Sequence, residues 1–273
     1  MIKRFIKNIF DIREGEFKVS LWMLSYIFLT IAVLLIIKPT VNSLFLSELG
    51  VGQLPFAFLL VAVTAIISSF FYSKAVAKYA LNKIIETTLI ASLFILICLG
   101  VLLNLGISTI FLLYFFYVWV AIYAVLSASQ FWVLANLVYN VREAKRLFGF
   151  IGSGAIMGGI LGGYITSILA SFIGNENLMF VAAFLLVFCI PLLRNIWRAK
   201  VNISGTTKEK KRANLISERP LQLIIKSKHL SYIACIVAVS VLVAKLVDYL
   251  FSDFASASFK NAVSSSASVK EAD

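Results

Sequence analysis

The chain has 273 residues, of which 61% are hydrophobic and only 14% are charged, and its mean hydropathy is +0.96. A water-soluble protein could not cover such a composition with a polar surface. The net charge is +12, but the basic residues lie in the connectors between apolar runs, as in the loops of membrane proteins. The composition therefore predicts an integral membrane protein in a lipid bilayer and argues against a nucleic acid polymer as partner.

Apolar runs long enough to cross a bilayer, about 20 residues each, recur along the chain. They predict an all-α, polytopic membrane protein with a six-helix bundle at 19–193 and a seventh transmembrane helix at 230–251. The first span is expected to end at Lys38-Pro39. The predicted spans are 19–37, 55–72, 84–103, 107–139, 147–173, 178–193 and 230–251.

Lysine and arginine are confined to alternate connectors. Residues 1–18 hold five of them, whereas the connectors 39–54, 104–106 and 174–177 hold none. Because basic loops stay in the cytoplasm, this alternation predicts a cytoplasmic N-terminus at 1–18.

The segment 194–229 is polar and basic, and it predicts a cytoplasmic linker between two bundles. The seventh helix is then the start of a second bundle whose remainder, a C-terminal half, is missing. Residues 252–273 form a Ser/Ala-rich tail, for which we expect disorder or a truncation.

Glycines are concentrated in the predicted fifth span. Gly154, Gly158 and Gly162 are four residues apart and share one helix face, which predicts a flat groove for a neighbouring helix. With Gly159 and Gly163, they resemble the antiporter motif GxxxGPxxGG of the major facilitator superfamily, with Gly159 in place of the proline. Helix packing and a specific role in antiport both remain open for this set.

Ionisable residues at membrane depth are candidates for function, because burying a charge there costs several kcal/mol. Lys38 either reaches into a water-filled cavity as a cation for phosphate or carboxylate, or extends to the interface. Lys245 and Asp248 are three residues apart on one helix face. They either form a mutual ion pair that holds two halves together or take part in substrate binding or gating.

A narrower resemblance rests on three stretches. Phe131-Trp132-Val-Leu-Ala-Asn136, then Arg142-Glu-Ala-Lys145-Arg146-Leu-Phe and finally Lys245-Leu-Val-Asp-Tyr are similar to signatures of the ATP/ADP translocases, the nucleotide exchangers of plastids and obligate intracellular bacteria. The resemblance implies a major-facilitator-type transporter that exchanges ATP for ADP, with Lys38, Trp132, Asn136, Lys245 and Asp248 binding the substrate. It also implies a bacterial inner membrane.

The chain departs from that family at two places. The acidic residues that follow the first-span lysine in the family are absent here, where the sequence is Lys38-Pro39-Thr40. A glutamate of the fourth span is replaced by the apolar pair Val120-Ala121. These departures favour an alternative on the same fold, an antiporter of another organic anion or a drug.

Several polar and aromatic residues of the fourth span and its loop have two interpretations. Trp132 either stacks on a nucleotide base or is an interfacial aromatic, and Asn136 either contacts substrate or joins helices. The basic residues of the next connector either set the topology or form a cytoplasmic gate with the linker 194–229. These are Arg142, Lys145 and Arg146.

Enzyme chemistry is not expected. His229 is the only histidine, and we find no Ser/His/Asp set, paired carboxylates, phosphate-binding loop or metal-ligand spacing in the sequence. We therefore predict no catalytic residues, no metal and no cofactor. An alternative of another class is a membrane scaffold for a regulatory partner, with no transport.

Overall fold

A computed structural model describes residues 16–107, 109–201 and 227–270. A 3₁₀ turn at Val51–Gln53 precedes the second helix, and a π-helical turn at Trp197–Val201 follows the fifth. The described residues contain no strand. The helices are α1 (Glu16–Leu49), α2 (Leu54–Lys78), α3 (Leu81–Asn104), α4 (Ile110–Val138), α5 (Val141–Ile196) and α6 (Lys228–Lys270).

All six helices are long and apolar enough to cross a membrane, which confirms an all-α polytopic membrane protein. The 56 residues of α5 would extend about 84 Å as one straight helix, whereas a bilayer core is about 30 Å thick. The helix is broken at Gly174, whose φ of 79° and ψ of 162° are not helical. Its halves, 141–173 and 175–196, correspond to the predicted fifth and sixth spans.

Contacts between helices fix their directions. Tyr139, just beyond α4, donates a hydrogen bond to Ser20 near the start of α1, and Tyr117 near the start of α4 packs against Phe45 near the end of α1. The two helices are therefore antiparallel. Similar pairs make the second half of α5 antiparallel to α3, since Arg194 bonds Glu86 and Asn177 bonds Asn104.

As a result the basic connectors gather at one end of the bundle. This basic end comprises the turns at 74–83, 139–146 and 194–201, together with the start of α1. The opposite end comprises 50–53, 105–109 and Gly174. Gly174 lies beside the far part of α1, because Asn175 Nδ2 donates to Ser43 Oγ at 3.1 Å.

The predicted glycine groove holds α1 against α5. Three glycines face three carbonyl oxygens in parallel register, so a Cβ on any of them would collide with the backbone of α1. The pairs are Gly154 with Leu24, Gly158 with Phe28 and Gly162 with Ala32. Gly159 lies at the edge of this seam, 3.9 Å from Ile31, and Gly163 has nothing within 4 Å of its Cβ direction. The packing function is confirmed for the first three.

The expected end of the first span at Lys38-Pro39 is wrong, since α1 continues to Leu49 with Pro39 inside it. Proline has no N–H, so the carbonyl oxygen of Leu35 loses its helical partner. The hydroxyl of Thr166 in α5 lies 3.2 Å from that oxygen and 2.8 Å from the carbonyl oxygen of Gly162 in its own helix, so the two oxygens share one donor. A hydroxyl from a neighbouring helix thus partly replaces the missing helical bond.

The Ser/Ala-rich tail, for which disorder or a truncation was expected, continues α6 as far as Lys270. The other predicted boundaries shift by a few residues, and α1 begins at Glu16. Most of the predicted linker, 202–226, lies outside the described residues, as do 1–15 and 271–273.

Candidate functional site

Three of the predicted charged residues meet where α6 approaches α1. Asp248 Oδ2 lies 3.3 Å from Lys245 Nζ and 3.9 Å from Lys38 Nζ. A single carboxylate therefore faces two ammonium groups, and the cluster carries one net positive charge. Their side chains are between 41% and 48% exposed, so none of the three is sealed in the protein core.

The local sequence explains how the cluster forms. Lys245 and Asp248 are one turn apart on α6 and pair directly. Lys38 comes from α1, eleven residues before its end at Leu49, which places it about 16 Å from that end along the helix. Lys38 therefore does not terminate its helix, contrary to the expected end of the first span. The cluster lies on the side of the opposite end.

An aromatic ring packs on the lysine of α6. Lys245 Nζ lies 4.9 Å from the ring centroid of Phe58 on α2, a cation–π distance. Phe58 in turn packs against Tyr117 of α4, with centroids 6.3 Å apart. The charged turn of α6 therefore contacts α2 through Phe58 and α1 through Lys38.

A cavity of about 400 Å³ opens beside the cluster, between the first turns of α2 and the middle of α6. Its walls are apolar apart from Lys245, and such a volume is typical of small-molecule sites. An anionic group that entered it would meet an ammonium already loosely held by a carboxylate. The walls are formed by Pro55, Phe58, Leu242, Lys245, Leu246 and Tyr249.

The other two predicted substrate residues are not part of this cluster. Trp132 lies fifteen residues after Tyr117 on α4, about 22 Å along the helix, and Asn136 is farther still. The ring of Trp132 packs edge-on against Phe131 and Phe148, at 5.4 and 5.5 Å between centroids. Trp132 therefore joins α4 to α5.

Asn136 lines a different cavity, of about 600 Å³, at the basic end. Asn140 and Lys145 share this cavity with it, and Asn140 caps α5 through a reciprocal pair with Glu143. Burial raises the pKa of the neighbouring Tyr139, so its phenol stays neutral and acts as a hydrogen-bond donor. One ligand could not contact this cavity and the lysine cluster together without spanning most of the bundle.

The three basic residues predicted to form a gate do not share one role in the structure. Arg146 forms a mostly buried ion pair with Glu16, 3.2 Å apart, and so connects α5 to the start of α1. Arg142 and Lys145 are on the same connector, but the linker they were expected to meet lies outside the described residues. A gate there stays a prediction.

Sequence analysis missed the ion pairs between helices. Glu16 with Arg146 and Glu86 with Arg194 both lie at the basic end, where each carboxylate is flanked by lysine and arginine. Acidic residues are rare in this chain, whose net charge is +12, so each one is a candidate partner for a lysine or arginine. That rarity was the sequence signal for both pairs. Amide side chains of the fourth span were expected to bond to other helices, but their partners were not predicted. Gln130 of α4 donates such a bond to Thr88 Oγ1 of α3 at 3.0 Å.

The fold and the cluster together define a polytopic α-helical membrane protein with a half-exposed charge cluster between α1 and α6. No protein-family model, curated protein or solved structure matches the chain. Among the described residues, no three His, Cys, Asp or Glu side chains are grouped so as to hold a metal ion.

Proposed function

We propose that this protein is a membrane transporter that exchanges anionic nucleotides, of the ATP/ADP type, by alternating access. The observation that carries the proposal is the cluster of Lys38, Lys245 and Asp248, which joins α1 to α6 through one shared carboxylate. Charges inside a bundle cost free energy unless they are used or paired. Here pairing is incomplete, since two cations share one anion.

The excess cation gives the site its preference for anions. A phosphate or carboxylate group of a substrate can compete with Asp248 for the two ammonium groups, in a region less polar than water where such interactions are stronger. When a substrate takes the place of Asp248, the contact between α1 and α6 changes. Binding is thereby linked to the relative position of the two helices, as alternating access requires.

The choice of nucleotides rests on the resemblance to the ATP/ADP translocases. A second candidate is another organic anion, and one observation favours it. Trp132 and Asn136, the residues expected to contact a nucleotide, lie about 22 Å or more along α4 from Tyr117, the α4 residue that packs on Phe58 beside the cluster. A smaller anion needs only the cluster and the adjoining cavity.

We also propose an orientation and a membrane. The basic end faces the cytoplasm, because lysine- and arginine-rich loops are retained there. The N-terminus is then cytoplasmic, and the lysine cluster lies nearer the outer surface. The resemblance to exchangers of intracellular bacteria suggests the bacterial inner membrane.

The test is counter-exchange by the full-length protein in intact cells, with membrane insertion verified. Labelled ATP is offered outside, and we expect uptake that internal ADP stimulates. Lys38→Gln and Lys245→Gln should each lower uptake at least ten-fold, whereas Lys74→Gln, an exposed lysine of α2, should leave it unchanged. Absence of ATP uptake together with lysine-dependent uptake of other organic anions would favour the second candidate. Uptake that is unaffected by both cluster variants would refute the proposed site.

A further inference from the structure

Helix α2 is attached to the bundle only near its start. Of the α2 side chains that the structure describes, Leu54 and Ala57 alone are buried, and both lie in the first turn. Phe58 still packs on Tyr117, but the side chains farther along α2 are at least partly exposed. Toward Lys78, the helix leaves a gap between itself, α3 and α4.

This gap is a cavity of about 740 Å³ at the half of the bundle nearer the basic end. Apolar side chains from three helices line it, among them Ile67, Phe71 and Leu126. Thr88 also lines it, but its hydroxyl is occupied, donating to the Ile84 carbonyl at 2.8 Å and accepting from Gln130. The walls therefore offer mainly hydrocarbon surface to an occupant.

The length of the cavity matches one leaflet of a bilayer. From Ser68, which lines it, to its end at Lys78, α2 advances about 15 Å, and Tyr79 just beyond also lines the cavity. Half of a hydrocarbon core is about 15 Å. The exposed ring of Tyr79 lies at the cavity mouth, where interfacial aromatics are common.

The mouth of the cavity is cationic. Lys83 lines it directly, and Lys78 is held nearby with its Nζ 5.6 Å from the centroid of the Tyr79 ring. The carboxylate in this region, Glu86, is already bonded to Arg194. An anionic headgroup at the mouth would thus meet lysines whose charge is not cancelled by Glu86.

We propose that this cavity is a binding site for an anionic glycerophospholipid. One acyl chain occupies the apolar gap between α2 and α3, and the phosphate lies against Lys83 and Lys78. The combination of a leaflet-long apolar slot with a basic mouth at headgroup level favours a lipid over a protein segment. This inference is independent of the proposed transport function, since none of its residues belongs to the lysine cluster.

The site can be tested by photocrosslinking in vesicles of phosphatidylcholine that contain a trace of lipid with a photoreactive group on its acyl chain. The full chain is labelled with phosphatidylglycerol or with phosphatidylcholine of identical chains, and crosslinked peptides are mapped by mass spectrometry. We expect crosslinks within 67–88 to favour phosphatidylglycerol at least five-fold.

Two variants and a control separate this site from general attraction to a basic surface. Lys83→Gln should lower the preference about five-fold, which corresponds to about 1 kcal/mol for one lysine near an anionic surface. Ser68→Trp fills the slot and should remove crosslinks there for both lipids. Lys145→Gln, at the other cavity of the basic end, should change neither result. Equal labelling by the two lipids, or a preference that Lys83→Gln leaves unchanged, would overturn the proposal.

Discussion

Substitution of Gly158 by alanine tests whether the glycine seam determines how closely α1 approaches α5. The added Cβ would meet the backbone of Phe28, with the carbonyl carbon and the Cα both at 3.1 Å and the carbonyl oxygen closer still. A flexible side chain could rotate away from such a contact, but a helix backbone cannot. The two helices must therefore separate.

The neighbouring glycines give a lower limit for this separation, because the carbonyl oxygen that faces Gly158 is closer than the oxygens that face them. A Cβ at Gly154 would lie 2.6 Å from the Leu24 oxygen, and one at Gly162 would lie 2.7 Å from the Ala32 oxygen. Carbon–oxygen contacts settle at about 3.3 Å or more, so a shift of about 0.6 Å or greater is required. A gap of that size forfeits a quarter or more of the van der Waals attraction along the seam. With the usual cost of overpacking, we expect Gly158→Ala to destabilise the bundle by about 2 kcal/mol.

The measurement is reversible unfolding of the purified protein in mixed micelles, titrated with a denaturing detergent and followed by circular dichroism. Gly163→Ala is the matched control, because nothing lies within 4 Å of its Cβ direction and alanine favours helix. It should leave the free energy of unfolding unchanged or raise it slightly. If the two variants unfold alike, close backbone contact does not hold α1 to α5 and the reasoning fails.

Two further predictions concern bonds between α1 and α5. Thr166→Val should cost about 1 kcal/mol in the same unfolding assay, because the Leu35 and Gly162 carbonyls lose a shared donor, and Pro39→Ala should reduce this cost by restoring a helical N–H to Leu35. If Pro39→Ala does not reduce the cost of Thr166→Val in the double variant, Thr166 has another role. Arg146→Gln and Glu16→Gln should each destabilise the protein, with a coupling energy of about 1 kcal/mol or more in a double-mutant cycle, since their ion pair is mostly buried. Additive effects would contradict the pair.

The spans and the glycine seam could be predicted because each depends on a local pattern. A run of about 20 apolar residues crosses a bilayer wherever it occurs. Gly154, Gly158 and Gly162 share a face in any α-helix. That they meet α1 in parallel, however, depends on the reversals of the chain between them and is visible only in the structure.

Two departures from the predicted boundaries involve side-chain bonds. Pro39 usually ends a helix, but α1 continues through it, and the hydroxyl of Thr166, far along the chain, lies 3.2 Å from the carbonyl oxygen that the proline leaves without a helical donor. The polar residues 174–177 predicted a connector, and the chain does reverse there, but within Gly174 alone. Asn175 and Asn177 already belong to the next helix and donate to Ser43 and to the Ile173 carbonyl, so the connector is shorter than predicted.

The candidate site was partly predictable. Sequence singled out Lys38, Lys245 and Asp248 because charges at membrane depth are rare, and the structure brings them together. It also suggested Trp132 and Asn136, which contribute to other parts of the bundle. The shared carboxylate could not be foreseen, because it requires the register of α6 against α1.

The reversal at Gly174 has a consequence for how the protein meets large molecules in water. At that end, α5 turns back within a single residue, and the other two connectors are the short segments 50–53 and 105–109. A protease or an antibody needs several residues of accessible backbone, which these turns hardly provide. Epitope tags or cleavage sites placed at the opposite end would need engineered extensions, and a φ near +79° makes Gly174 itself a poor point of insertion.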